Sequence, residues 1–164
     1  MMRGGSGVGV PQSSALLVGT TTNNNATAGY IGELITATVA AGSSVAITTA
    51  TGTNIASISL TAGDWDVSGA VDFILAGVTA TLFQSGISAA TATLPTQAGG
   101  SGIGTDPLTI VPLLTTALSA TYTQNITPVR VTLAATTTIY LVAQSTFSVG
   151  TLAGYGTIRA RRMR

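Results

Sequence analysis

Between residues 64 and 73 apolar and polar positions alternate with a period of two. Trp65, Val67, Gly69, Val71 and Phe73 fall on one side, and Asp64, Asp66, Ser68, Ala70 and Asp72 on the other. Successive side chains of a strand point to opposite faces, so this run predicts a β-strand with one dry face and one wet face. Similar runs cover 34–40, 45–49, 54–60, 79–88, 128–133, 138–147 and 152–162. Turn signals separate them at Ala41-Gly42-Ser43, Thr51-Gly52-Thr53, Ala62-Gly63, Ala76-Gly77 and Val149-Gly150. At least seven threonine- and valine-rich strands at this spacing predict an all-β fold, an antiparallel sandwich or barrel. Each half-apolar strand needs a second sheet over its dry face.

Three stretches depart from the pattern. Residues 1–32 are rich in glycine and hold three consecutive threonines and three consecutive asparagines. They read as an extended arm that is ordered only against a partner, because such a composition cannot offset the entropy of ordering by burial. Leu16, Leu17 and Val18 form the arm's apolar patch and its expected docking point. The sandwich is then expected over 33–164. Residues 89–106, with Gly99, Gly100, Gly102 and Gly104, read as a long surface connection. Residues 107–118 read either as a strand interrupted by Pro112 or as a short helical turn. No repeat of 20 to 50 residues points to a solenoid or propeller.

Composition changes the picture most through charge. A globular chain of this size carries about 25% charged residues, whereas this one has 6 basic and 5 acidic side chains in 164 residues, 7% in all. Its surface must be built from its 30 threonines together with serine, glycine, asparagine and alanine. So few charges protect a surface poorly against association, so the chain is expected to cover much of that surface with copies of itself. Cysteine, histidine and lysine are all absent. Disulfides, thiolate metal sites, imidazole proton transfer and Schiff-base chemistry go with them. No apolar run reaches the 18 residues of a spanning helix, and the first residues lack the apolar segment of a signal peptide, so neither a membrane span nor export is expected.

Candidate chemistry is sparse. Asp64, Asp66 and Asp72 project from one face of one strand, a spacing compatible with a calcium site or an acid pair. The expected use is plainer: a salt-bridged strand face opposite Arg130 or an arginine of another subunit. Gly99 to Gly104 lacks the lysine and following helix of a phosphate loop. The sequons at Asn25 and Asn125 have no secretory context and read as coincidence. Arg159, Arg161, Arg162 and Arg164 supply four of the six positive charges. The two-residue period runs into them, which predicts a last strand with Arg159 and Arg161 on one face and Ile158, Ala160 and Arg162 on the other. The planar fork of arginine suits fixed pairing with carboxylates across a subunit boundary more than it suits nucleic acid. No cofactor is expected.

Four blocks carry a resemblance. Residues 25–33 read NATAGYIGE, 58–69 ISLTAGDWDVSG, 136–147 TTTIYLVAQSTF and 154–162 GYGTIRARR. In this order they resemble tailed-bacteriophage virion structural proteins of the head-fibre, decoration or tail-fibre type, over residues 25–164. The resemblance implies a jelly-roll-like domain that forms homotrimers on the virion and has no catalytic residues. With only a short arm and no shaft, the expected place is the capsid exterior, as a decoration or cement protein or short head fibre docked on the major capsid protein. The alternatives are a receptor-binding module of the tail that recognises a host surface glycan, and, less in keeping with five acids, a carbohydrate-active enzyme.

Overall fold

The computed structural model describes residues 22–95, the backbone of 108–118, and residues 120–164. Strands β1 (Leu34–Val39), β2 (Val45–Ala46), β3 (Thr53–Leu60), β4 (Gly63–Ala76), β5 (Val78–Ser88), β6 (Leu108–Leu118), β7 (Tyr122–Leu133), β8 (Thr137–Phe147) and β9 (Thr151–Arg162) follow in order. A single 3-10 turn, Ala41–Ser43, lies between β1 and β2. One sheet has the order β1-β9-β4-β7, with β2 also paired to β9, and the other β3-β8-β5-β6. Every pairing is antiparallel.

The pairs β1·β9, β3·β8, β4·β7 and β5·β6 nest inside one another, as the two arms of one long hairpin would. Rolling that hairpin over itself brings β4 against β9 and β5 against β8, which are the two remaining long ladders. The result is a jelly roll, a double sheet in which each half-apolar strand covers another. Between the sheets Leu60, Trp65, Val67, Val71, Phe73, Val78, Phe83, Leu141 and Ile158 are fully buried. Phe83 packs at one end against Phe73 and Tyr122, with ring centroids 4.8 and 5.2 Å apart.

The alternation over 64–73 appears in β4 as expected, with Trp65, Val67, Val71 and Phe73 inside. Gly156 of β9 is a place where two strands come too close for a side chain. A Cβ there would lie 2.1 Å from the carbonyl oxygen of Ala70. The stretch 107–118 resolves as strand β6, and Pro112 is tolerated because β6 ends the sheet order and so has one free edge. Strand β7 begins at Tyr122, earlier than the expected start at 128. Gln124 is buried on the inner face there and masks the alternation.

Residues 25–32, read from sequence as part of the arm, are hydrogen-bonded to the sandwich. The Asn25 side-chain amide accepts from the Leu34 N–H at 2.8 Å and donates to its carbonyl at 2.7 Å. It thereby caps the first residue of edge strand β1 much as a neighbouring strand would. The Gly32 N–H donates to the Arg162 carbonyl at 2.9 Å. The patch Leu16, Leu17 and Val18 and the glycine cluster 99–104 lie outside the described residues.

Candidate interaction surfaces

Charge is segregated between the two sheets. Of the eleven charged side chains, nine lie among the described residues: Glu33, Asp64, Asp66, Asp72, Arg130, Arg159, Arg161, Arg162 and Arg164. All nine stand on β4, β7 or β9, or at the residue flanking β1 or following β9, and therefore belong to the first sheet. Strands β3, β5, β6 and β8 contain no charged residue. The outer face of the second sheet exposes Ser57, Ser59, Thr81 and Thr138, with Tyr140 and Gln144 half-buried and Val142 buried on the same side of β8.

On the first sheet most charges are consumed by the fold. Asp64 is buried, its side chain 4% exposed, and two arginines reach it from the surface, Arg130 at 61% and Arg164 at 72% exposure. Arg130 grips it with both arms of the fork, the Nε to Oδ1 at 2.7 Å and the Nη2 to Oδ2, while the Arg164 Nε lies 2.9 Å from Oδ2. Hydrogen bonding from Arg130 outweighs desolvation, so the Asp64 carboxyl is held below its usual range and Arg130 is raised in turn. The cross-strand register explains the grip. Asp66 is the residue directly opposite Arg130, and Asp64 sits diagonally from it, within reach of a long side chain.

Arg162 ends β9 on the inner face and is buried. Its Nε holds the Glu33 carboxylate at 2.9 Å, its Nη1 donates to the Ala62 carbonyl at 3.0 Å, and its Nη2 donates to the Thr61 hydroxyl. The Gly29 N–H donates to the same Glu33 carboxylate at 2.8 Å, and it is this bond above all that holds the Glu33 carboxyl below its usual range. The segment 29–33 and the β3–β4 turn are thereby tied to the end of β9 at one end of the sandwich. Asp72 accepts a hydrogen bond from Thr123.

The sequence offers these carboxylates either Arg130 or an arginine of another subunit, and for Asp64 the partner is Arg130 of the same chain, joined by Arg164. Asp64, Arg162 and Arg164 meet their partners within the chain. Asp66, Arg159 and Arg161 form no ion pair among the described residues, and all three line one open depression of about 1080 Å³ on the outer face of the first sheet. Its walls are the segment 23–26, Ile31 and Leu34 on one side and Pro128 on the other. A second depression of about 600 Å³ continues along β4 and shares Ser68, Pro128 and Arg159 with it. The Arg159 Nε donates to the Ser68 hydroxyl at 3.1 Å, which ties the guanidinium to β4 at the edge of both depressions. Sequence reasoning finds the arginines but not the groove, because residues 23–34 reach it only through the fold.

Among the described residues no cluster of three or more acidic side chains is placed to hold a metal ion, and no helix is long and apolar enough to cross a membrane. Comparisons with models of protein families, with curated proteins and with solved structures find no match.

Proposed function

We propose that this is a non-enzymatic structural protein of a tailed-phage virion, a capsid decoration or cement protein or a short head fibre. It self-associates, as a trimer, and docks by its N-terminal arm on the major capsid protein. The observation that carries this reading is the charge segregation: an entire sheet of the sandwich is free of ionic groups. A charge-free face with exposed hydroxyls avoids the large cost of desolvating ions and meets no like-charge repulsion when copies of the chain pack together and pair those hydroxyls. Partly covered apolar side chains at the sheet edges, Ile35, Ala37 and Val39 on β1 and Val131 and Leu133 on β7, support the same conclusion. The jelly roll is an architecture used by viral capsid and lectin domains, an analogy of fold and not of site.

Three weak contacts made at once by a trimer become a stable attachment through their high effective concentration. Two measurements test the proposal together: the mass of the purified protein in dilute solution, and its place and copy number in virion density. A trimer present in hundreds of copies on the capsid is expected. A monodisperse monomer would sink the assembly reading, and a handful of copies at the tail would favour the receptor-binding alternative, to which the groove beside Arg159 lends support.

A further inference from the structure

In a chain with so few ionic groups, those the fold does not use stand out. Arg130 and Arg164 hold Asp64, Arg162 holds Glu33, and Asp72 is engaged by Thr123. Among the described residues the three remaining charges, Arg159, Arg161 and Asp66, gather in one groove, which is lined otherwise by asparagine amides, serine and a few apolar side chains.

Each group sets a demand on an occupant. The two guanidiniums offer several N–H donors and need acceptors, and a carboxylate matches their fork best. Ionised Asp66 accepts only, so it needs hydroxyl or amide donors and repels a run of anions. The Asn23, Asn24 and Asn25 side chains bring amide groups that both donate and accept. Asn25 itself is committed to Leu34, so its role is to hold the wall of the groove. Ile31 and Leu34, both exposed, give a flat apolar margin. A molecule with one carboxylate, several hydroxyls and an apolar C–H face satisfies all four demands. A nucleic-acid strand fits less well, since its phosphate recurs at every nucleotide and would bring an anion to Asp66 as well as to the arginines.

We propose that this groove binds an acidic sugar, a uronic-acid or comparable carboxylate-bearing residue of a polysaccharide. Arg159 and Arg161 hold the carboxylate and Asp66 receives sugar hydroxyls. The two adjoining depressions have the volume for more than one sugar unit, within or above the few hundred to a thousand Å³ typical of ligand pockets. The site does not depend on where the protein sits, so it stands or falls separately from the capsid assignment.

The test is an NMR titration of the full-length protein with aldotriouronic acid, a trisaccharide with a single carboxylate, with maltotriose as the neutral control and triglutamate as the acidic-peptide control. Saturable shifts are expected at the Ser68 and Gly69 amides and the Arg159 and Arg161 side-chain N–H groups with aldotriouronic acid alone. Arg159→Gln and Arg161→Gln are exposed changes that leave the thermal midpoint in place, and each is expected to weaken binding by about tenfold. Arg159→Lys recovers less than the full affinity, because it keeps the charge and loses the fork. The proposal is overturned by the absence of saturation at about 20 mM ligand. It is equally overturned by an equal response to maltotriose, by tighter binding of triglutamate, or by unchanged binding in both glutamine variants.

Discussion

The Arg162 guanidinium lies 4.1 Å above the ring of the fully buried Trp65, and its Nε holds the Glu33 carboxylate at 2.9 Å. The Trp65 Nε1 donates to the Thr61 carbonyl at 3.0 Å, and Arg162 bonds the same residue's hydroxyl. The two side chains therefore clamp the β3–β4 turn and the 25–33 segment onto the end of β9. Cation–π attraction strengthens as the pair leaves water.

Replacing Arg162 by methionine keeps the bulk but strands Glu33 without its partner. Removing one member of a buried ion pair typically costs about 3–5 kcal/mol, and a loss of that order is expected in urea unfolding. Arg161→Gln, on the exposed face of the same strand, is expected to stay within about 0.5 kcal/mol. Equal effects at the two positions would refute the clamp.

Acid should weaken the fold through Glu33 and Asp64. Both carboxyls are held below their usual values, Glu33 chiefly by the Gly29 N–H and Asp64 chiefly by Arg130. A depressed carboxyl contributes stability that is complete above its unfolded pKa, about 4, and lost as pH falls through its folded value. Thermal midpoints should therefore be level from neutral pH to about 5 and decline below about 4. Glu33→Gln is expected to lower stability at neutral pH and to flatten that decline, which differential scanning fluorimetry across pH would register.

Gly156→Ala places a methyl 2.1 Å from the backbone oxygen of Ala70, with no flexible side chain to yield. The β4–β9 ladder must part, and a loss of about 3 kcal/mol or more, or failure to fold, is expected. Gly42→Ala meets nothing within 4 Å and is the neutral control. Soluble yield and chemical denaturation of the pair would decide the matter.

A charge placed on the uncharged sheet should act on assembly and leave the fold intact. Ser57→Glu and Thr138→Glu are both at exposed outer positions, where surface substitutions shift stability by about 0.5 kcal/mol or less. If that face joins the copies, each is expected to shift light-scattering mass toward monomer with little change in thermal midpoint. Undiminished oligomers in both would place the contact elsewhere.

The strands were legible because a two-residue period needs nothing beyond local geometry: one face of β4 must be dry whatever covers it. Turn positions were legible for the same reason, since Gly63, Gly77 and Gly150 adopt positive φ that few other residues tolerate. Where a buried polar residue interrupted the pattern, as Gln124 does in β7, the strand was shortened. Where proline interrupted it, as at 112, the choice between strand and turn waited on whether the strand lay at an edge.

From its residues alone this chain was bound to form threonine-rich strands in a charge-poor sandwich, because alternation and composition are properties of sequence. Which carboxylate meets which arginine was decided by the fold. Arg130 is one of the partners the sequence offers the Asp64 face, but Glu33 and Arg162 are 129 positions apart, and no local pattern encodes that encounter or the arrival of Arg164 at Asp64. Only the rolling of the long hairpin set every described charge on one sheet and left Arg159, Arg161 and Asp66 together in a groove. That outcome depends on strand order, which hydrogen bonding between distant segments determines and spacing along the chain does not.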